Sequence, residues 1–214
     1  MNTQAHTDQI AAWRGAHGDR YVARNSATPE RVRQRLKAWV RMLNATAGAP
    51  PESMLEVGCN IGLNLRALRM LGDYDLAAVE PNASARETVV ADGVLAPDRI
   101  WDANALDLGV PDGAFDLVFT SGVLIHVAPE DLAQAYSEIY RASSQYILCW
   151  EYFAREPETV SYHGREDLLF KRDFGSYWLE LYPDLEPLDC GFFWKQLTGL
   201  DDVTFWLFRK PDAA

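Results

Sequence analysis

Cysteine is scarce in this sequence, and the spacing of the few present excludes two classes of small protein. The three cysteines, Cys59, Cys149 and Cys190, are odd in number and have no C-x-x-C spacing. This pattern argues against a disulfide framework and against a zinc knuckle. We therefore expect reduced, buried thiols and no metal site.

Long apolar runs are also absent. No run approaches the roughly 20 residues that a membrane-spanning helix requires. The amino-terminal stretch MNTQAHTDQI has neither the basic start nor the hydrophobic stretch of a secretion signal. These two absences predict a cytoplasmic protein that has no membrane partner.

Basic residues are too few to draw the protein towards an anionic polymer. The chain has 20 Lys and Arg against 31 Asp and Glu, which gives a formal net charge of -11. Such a balance provides no general attraction to nucleic acid or to an anionic membrane. A small-molecule partner is therefore expected, while the oligomeric state stays open.

Hydrophobic residues make up 48% of the 214 positions, which is enough for one sizeable core. We predict a single domain over 1–214, with residues 1–45 forming a helical cap or lid and 46–210 forming an α/β core. Apolar runs alternate with amphipathic segments, as in a parallel sheet with right-handed crossovers. The last two strand-like runs, LDCGFFWKQL and DVTFWLFRK, are joined by TGLD and should pair as an antiparallel hairpin.

The turn LEVGCNIG, residues 55–62, follows the first predicted strand. Open parallel sheets bind ligands at this end of their strands. Gly58 allows backbone to approach a ligand closely, and Gly62 allows the next helix to pack against the strand. Asn60 stands where a dinucleotide fingerprint has glycine, but asparagine adopts positive φ more easily than most residues. The turn is therefore expected to remain a functional binding loop.

Acidic residues around this turn indicate which ligand it binds. Glu56 opens the turn, which has no Lys, Ser or Thr in the positions of a phosphate cradle. A carboxylate there repels a pyrophosphate and attracts an ammonium or a sulfonium. Glu80 ends the second strand, where a carboxylate can accept hydrogen bonds from ribose hydroxyls. Asp102 follows the third strand and can accept from an adenine amino group.

These positions together resemble the class I S-adenosylmethionine-dependent methyltransferases over residues 54–127. The resemblance implies a Rossmann-like α/β fold, with a mostly parallel seven-stranded sheet, a C-terminal antiparallel hairpin and helices on both faces. It also implies S-adenosyl-L-methionine as cofactor, with Glu80 at the ribose, Asp102 and Ala103 at the adenine, and FDLVFTSGVLIHV beneath the sulfonium. The binding set implied by these motifs is Glu56, Gly58, Asn60, Gly62, Glu80, Pro81, Asn82, Asp102, Ala103, Ser121, Gly122 and Val123.

A narrower resemblance covers nearly the whole chain. WRGAHGDRYVARN at 13–25, YILCWEYF, LLFKRDF, CGFFWK and TFWLF look like the pseudaminic acid biosynthesis-associated methylases. This likeness implies N- or O-methylation of a small molecule such as a modified sugar or a nonulosonic acid intermediate. The alternative is a non-catalytic S-adenosylmethionine-binding or regulatory module. An NAD enzyme fits the turn less well, and a nucleic-acid methyltransferase lacks its N/D-P-P-Y/F motif, where this chain has TSGV.

His126 and Glu151 are the candidate catalytic bases, because they follow the fourth strand and end the fifth. His126 has the alternative of a histidine that starts a helix and bonds backbone. Glu151 is costly to bury without a partner, so a bound amine, a hydroxyl or an arginine is expected beside it. Tyr152, on the same rim, is a candidate substrate contact.

Two further segments carry candidate binding residues. Tyr21 and Arg24 are placed where Arg24 can pair with the methionine carboxylate of the cofactor, or where both form part of a surface strap. The arginines from Arg31 to Arg41 fit a solvated helix face better than a phosphate site. The insertion after the fifth strand supplies positive charge suited to a carboxylate-bearing substrate, and its candidates are Tyr162, His163, Arg165, Lys171 and Arg172.

Overall fold

The computed structural model of the protein describes residues 3–160 and 169–211. In these residues, strands β1 to β5 form a parallel sheet that is extended by an antiparallel pair. The strands are β1 Ser53–Val57, β2 Asp75–Val79, β3 Ile100–Trp101, β4 Phe115–Ser121, β5 Ser143–Glu151, β6 Glu158–Thr159, β7 Phe170–Lys171, β8 Glu186–Phe193 and β9 Val203–Arg209. The order of the seven-stranded sheet is β3-β2-β1-β4-β5-β9-β8, and β6 pairs with β7 separately.

This topology confirms the predicted fold class. Strand β9 runs antiparallel to both β5 and β8, so the terminal hairpin closes one side of the sheet. The segment after β8 differs from the prediction, because Lys195–Thr198 forms a short helix and not the end of a strand. Gly199, with φ of 73°, ends that helix in the left-handed conformation and returns the chain towards β9.

Helices cover both faces of the sheet, as predicted. They are α1 Thr3–Arg14, α2 Ala16–Arg24, α3 Pro29–Leu43, α4 Leu63–Leu71, α5 Ala83–Ala91, α6 Leu132–Ala142, α7 Phe174–Leu181 and α8 Lys195–Thr198. On one face the core contains Trp39 and Phe119, and on the other it contains Tyr136 and Trp178. The inner strands are therefore apolar on both sides, which explains their uniformly hydrophobic sequences.

Local signals start the helices that lead towards the ligand edge. Pro29 occupies the first turn of α3, and the Thr28 hydroxyl accepts a hydrogen bond from the Arg31 N–H at 3.3 Å. The Asn82 side chain accepts from the Ala85 N–H at 3.0 Å and so caps the start of α5. Both caps satisfy backbone N–H groups that have no partner within their own helix.

The helices α1 and α2 lie at the carboxyl ends of the strands. Arg14 forms an ion pair with Asp102 at 2.9 Å, after β3. Gln9 Oε1 accepts from the Ala128 N–H at 3.2 Å, and Asn82 Nδ2 donates to the Trp13 carbonyl oxygen at 3.2 Å. These contacts join the amino-terminal helices to the loops that follow β2, β3 and β4.

The cysteines correct one prediction. Cys59 and Cys149 are buried free thiols, as expected, but Cys190 is exposed because it lies on the edge strand β8. Across residues 3–160 and 169–211, no helix has the length and apolar character needed to cross a bilayer. The same residues contain no group of three or more His, Cys, Asp or Glu side chains arranged to hold a metal.

Candidate functional site

The main cleft lies where β1, β2 and β4 end, and α1 and α2 form one of its walls. It encloses about 1210 Å³ of space when its open mouth is included. The cleft is lined by the glycine turn after β1 and by the loops after β2, β3 and β4.

The glycine turn has the backbone geometry that its sequence predicts. Gly58, Asn60 and Gly62 all have positive φ, at 72°, 48° and 71°. A Cβ added at Gly58 would lie 2.7 Å from Val123 Cγ2, so only glycine allows the turn and the loop after β4 to approach this closely. Asn60 therefore replaces glycine without breaking the turn, which confirms that prediction.

Glu80 connects the turn to the next loop. Its Oε2 accepts from the Asn60 N–H at 2.8 Å, and its Oε1 accepts from the Asn82 N–H at 2.9 Å. Burial raises the pKa of Glu80 above its usual range, against the lowering by these two hydrogen bonds. Each carboxylate oxygen keeps a second lone pair that can accept from a ligand. Pro81 and Asn82 complete this side of the cleft.

Glu56 lies on the floor of the cleft and is held from behind. Trp39 Nε1 donates to Asn64 Oδ1 at 3.3 Å, and Asn64 Nδ2 donates to Glu56 Oε1 at 2.7 Å. The other carboxylate oxygen, Oε2, is buried and has no hydrogen-bond partner within the described part of the chain. Burial raises the pKa of Glu56 to about 8, so the side chain is largely protonated at neutral pH.

Arg35 also lines the cleft, although its position in the arginine run predicted a solvated helix face. Its Nε is buried and has no acceptor among the described residues. Burial lowers the pKa of its guanidinium. The signal that could have identified it is spacing: Arg35 falls on the same helical stripe as Val32, Leu36 and Trp39, which face the core.

The loop after β4 places Ser121, Gly122 and Val123 in the cleft, as predicted. Glu151 lies beneath this loop and does not line the cleft. Its carboxylate accepts from the N–H groups of Val123 and Leu124 at 3.2 Å and from that of Ile125 at 3.4 Å. The side chain is fully buried, and burial raises its pKa to about 7. A bound amine, a hydroxyl or an arginine was expected beside Glu151, and the hydrogen-bond donors found there are these backbone amides.

The two residues predicted to contact adenine, Asp102 and Ala103, do not line the cleft. Asp102 is half exposed and pairs with Arg14 at 2.9 Å and with Arg86 at 3.2 Å. The cleft is lined instead by Asn104, Ala105 and Leu106. The expectation that Asp102 and Ala103 face the cleft is therefore corrected. The two arginines hold Asp102 at the rim.

Three predicted substrate residues, Tyr152, Lys171 and Arg172, lie outside the cleft lining. The Tyr152 hydroxyl donates to Asp201 Oδ2 at 2.8 Å, in a separate depression beside the terminal hairpin. Lys171 lies in the same depression, and the Arg172 guanidinium lies 5.1 Å from the centre of the Tyr177 ring. The remaining candidates of the insertion, Tyr162, His163 and Arg165, lie outside the described residues.

Of the two amino-terminal candidates, Tyr21 and Arg24, only Tyr21 lines the cleft. Tyr21 lines the cleft, whereas Arg24 does not and lies with its guanidinium 5.5 Å from the Tyr21 ring centre. Arg24 therefore lies outside the cleft lining, whereas Arg35 is part of it. His126 lines the cleft, and its ring centre lies 4.7 Å from that of Trp13.

Comparison of the sequence and the fold with known proteins leads to one fold family. Residues 55–145 match the family model described as a methyltransferase domain, and the seven-stranded sheet superposes on solved methyltransferases. The fold is that of the class I methyltransferases. Within this methyltransferase fold, the glycine turn and Glu80 occupy the ends of β1 and β2.

Three similar proteins illustrate the match. Ajmaline N-methyltransferase of Rauvolfia serpentina is 32% identical over 87 residues, which are 38% of this chain and 29% of the relative, so the chain spans about 29% of that protein's length. The 1,6-didemethyltoxoflavin-N1-methyltransferase of Burkholderia thailandensis, solved with S-adenosylhomocysteine, has a TM-score of 0.68 at 18% identity and covers 96% of this chain and 87% of its own. The magnesium protoporphyrin IX methyltransferase of Synechocystis, solved with S-adenosylmethionine, has a TM-score of 0.66 at 14% identity and covers 97% and 98%.

Proposed function

We propose that the protein is an S-adenosyl-L-methionine-dependent methyltransferase, of enzyme class EC 2.1.1, that acts on a small molecule. One observation carries this proposal. The cleft presents a buried donor on Arg35 Nε and a buried acceptor on Glu56 Oε2, neither of which has a hydrogen-bond partner in the described residues. The amino-acid part of S-adenosylmethionine supplies a carboxylate that can pair with Arg35 and an ammonium that can pair with Glu56. A pyrophosphate has no cationic group to pair with Glu56.

The remaining cleft residues suit the nucleoside half of the same cofactor. The free lone pairs of Glu80 can accept hydrogen bonds from ribose hydroxyls, and the loop from Asn104 to Leu106 offers a surface for the adenine. Gly58 and Val123 bring the turn and the loop after β4 together beneath the position proposed for the sulfur. These roles are part of the proposal and are supported by the resemblance of the motifs to the family.

When bound, S-adenosylmethionine supplies a methyl group that is activated by a positively charged sulfur. The protein then has to align an acceptor with that methyl group and exclude water, which are mainly positioning tasks. We propose His126 as the base that removes a proton from the acceptor, because it lines the cleft. For Glu151 we propose a positioning role through the loop that carries Val123.

We also propose that residues 1–214 act as one methyltransferase domain, in which the helices of residues 1–45 form a cap over the core of residues 46–210. The contacts of Gln9, Trp13 and Arg14 with loops after β2, β3 and β4 support this arrangement. Gly18 is central to it, because a Cβ at this position would lie 1.9 Å from the Trp13 carbonyl oxygen and 2.7 Å from Asn82 Nδ2.

The substitution Gly18→Ala tests the cap. Alanine raises intrinsic helix propensity by about 1 kcal/mol, but the added methyl group has no room against Trp13 and Asn82. We expect the affinity for S-adenosylhomocysteine to fall roughly tenfold, as measured by calorimetry. Gly15→Ala, one turn earlier, is the control, because its nearest contact would be 3.1 Å from the Ala11 carbonyl oxygen. Unchanged affinity in Gly18→Ala would contradict a cap that closes on the ligand.

The proposed acceptor class is a small molecule and not a nucleic acid. Two of the similar proteins are named as N-methyltransferases of small molecules, ajmaline and 1,6-didemethyltoxoflavin. The net charge of -11 gives no support to a nucleic-acid partner. A modified sugar or a nonulosonic acid intermediate is the finer proposal, and its support is the resemblance of the end segments to the pseudaminic acid biosynthesis-associated methylases.

Calorimetric titration with S-adenosylmethionine, S-adenosylhomocysteine and NAD tests the proposed function. We expect the first two to bind and NAD not to bind. Glu80→Ala should weaken binding about 100-fold, because it removes hydrogen bonds to a charged group that are each worth about 1.5–3 kcal/mol. Glu87→Ala, an exposed glutamate on α5, is the matched control and should leave the affinity unchanged.

The results that would reject the proposal are equally direct. Failure of S-adenosylhomocysteine to bind the intact protein, or equal affinity in Glu80→Ala and Glu87→Ala, excludes the cofactor assignment. Binding without formation of S-adenosylhomocysteine from S-adenosylmethionine in host extracts would favour the non-catalytic binding or regulatory module.

A further inference from the structure

We propose that Trp13 selects the methyl acceptor, because its indole N–H donates a hydrogen bond to an oxygen or nitrogen that lies beside the atom to be methylated. The inference rests on the proposed function and names a group that the acceptor must carry. Trp13 belongs to α1 and lines the cleft together with His126 and Val127, which follow β4.

The indole N–H of Trp13 is the first observation. Its Nε1 is buried and has no hydrogen-bond acceptor in residues 3–160 and 169–211. Buried tryptophan N–H groups usually have a partner, because an unpaired buried donor destabilises the fold. Arg35 and Glu56 also bring unpartnered buried atoms to the cleft, and both are assigned above to the cofactor. The Trp13 N–H has no role in that assignment, so it can serve the second ligand.

Three neighbouring rings fix the orientation of the indole. Its ring centre lies 4.9 Å from that of His17, 5.5 Å from that of Tyr21 and 4.7 Å from that of His126. The first two rings stand nearly perpendicular to it, at 90° and 88°. A side chain packed in this way has few rotamers to choose from, so the direction of the N–H is set before a ligand binds. Such a donor loses little conformational entropy on binding.

The location of the ring favours the acceptor over the cofactor. The Trp13 backbone lies at the loop after β2, because its carbonyl oxygen accepts from Asn82 Nδ2 at 3.2 Å. The ring instead contacts His126 in the loop after β4, and His126 is the residue proposed above as the base. The donor and the base are therefore neighbours, and one acceptor molecule can contact both.

The chemistry of this pair limits the acceptor. An indole N–H donates a hydrogen bond and accepts none, so it binds a hydroxyl, a carbonyl or a ring nitrogen and gains nothing from an ammonium. His126 has to meet the proton-bearing group that is methylated. Together they select a molecule in which a hydroxyl or an amine stands next to a second oxygen or nitrogen with a lone pair. Neighbouring hydroxyls on a sugar ring, or an amide beside a hydroxyl, have this chemistry.

The Trp13 indole signal in the complex with S-adenosylhomocysteine tests the inference directly. The chain has seven tryptophans, so the Nε1–H signal of Trp13 is first assigned by triple-resonance NMR. The two probes share one ring: cyclohexanone has lone pairs on its oxygen, and cyclohexylammonium has none on its nitrogen. Cyclohexanone should shift the Trp13 signal downfield and bind at least about fivefold tighter than cyclohexylammonium. An unmoved signal, equal affinities, or tighter binding of cyclohexylammonium would overturn the inference.

Two variants assign the preference to the N–H group. Trp13→Phe keeps an aromatic ring and lacks the N–H, so it should bind cyclohexanone about fivefold more weakly and keep its affinity for S-adenosylhomocysteine within about threefold. Trp194→Phe changes an exposed tryptophan between β8 and α8 and should leave both affinities unchanged. If the two variants behave alike, or if Trp13→Phe weakens S-adenosylhomocysteine and not cyclohexanone, the inference fails. The indole shift in the parent protein does not depend on how either variant folds.

The same titrations separate the two levels of the proposal. If the intact protein does not bind S-adenosylhomocysteine, the proposed function fails and this inference fails with it. If S-adenosylhomocysteine binds but cyclohexanone leaves the Trp13 signal unmoved, only the acceptor assignment fails. Transfer of labelled methyl from S-adenosylmethionine into host extracts is the activity readout. Trp13→Phe should lower it about tenfold at unchanged affinity for S-adenosylhomocysteine, and unchanged transfer would contradict the inference.

Discussion

Binding of S-adenosylmethionine is expected to weaken roughly 50-fold when the pH is lowered from about 7.5 to about 5.5, because Glu56 must release a proton before it can pair with the ligand's ammonium. Burial holds the pKa of Glu56 at about 8 in the free protein. A bound ammonium favours the carboxylate, so ligand binding releases the proton. Affinity therefore rises with pH through this interval, until the ligand's amino group loses its own proton near about pH 8.

The measurement is calorimetry across this pH range in two buffers with different ionisation enthalpies, which counts the protons released. About one proton should be released per ligand bound below about pH 7. Glu56→Gln keeps an oxygen for the hydrogen bond from Asn64 and should bind weakly with a flat pH profile. Glu52→Gln, on the exposed surface, is the control. An unchanged slope in Glu56→Gln would assign the proton to another group, such as Glu80.

Removal of the Glu151 carboxylate is expected to lower the free energy of unfolding by about 3 kcal/mol in Glu151→Ala, because three N–H groups lose their acceptor and each loss costs about 1–3 kcal/mol before the relief of a buried charge. These groups belong to Val123, Leu124 and Ile125. The same loop lines the cleft, so affinity for S-adenosylhomocysteine should fall about tenfold as well.

Urea unfolding monitored by tryptophan fluorescence checks the stability change. Glu151→Gln retains one carbonyl oxygen as acceptor and should lose about half as much stability, while Glu180→Ala on the exposed face of α7 should lose almost none. A Glu151→Ala variant that kept its stability and its affinity for S-adenosylhomocysteine, but lost methyl transfer, would contradict the positioning role. Such a result would support Glu151 as a base.

The alternation of strands and helices and the terminal hairpin follow from local patterns, which explains why they could be predicted. Apolar runs such as FDLVFTSGVLIHV identify strands that are covered on both faces, and short connections such as TGLD permit only antiparallel pairing. The helix at Lys195–Thr198 was missed because its residues KQLT follow the apolar run GFFW directly, with no glycine or proline between them.

In the cleft, too, the features that depend on neighbouring residues could be predicted, and those that depend on tertiary contacts could not. The conformation of the glycine turn with Asn60, and the position of Glu80 at the end of β2, could be predicted from the sequence. Both depend on only a few neighbouring residues. Arg35 was missed, because its cleft position depends on how α3 packs against α4, although its place on the apolar stripe gave a signal. Asp102 was misplaced because Arg14, far away in sequence, pairs with it at the rim.

The sequence by itself therefore determined the alternating α/β pattern, the conformation of the turn and the acidic character that disfavours a phosphate ligand. Only the tertiary structure decided which polar groups face the ligand and which serve the fold. It buried Glu151 under three backbone amides and placed Arg35 and Glu56 together in the cleft. The physical reason is that burial and hydrogen-bond partners depend on segments distant in sequence, whereas backbone preferences do not.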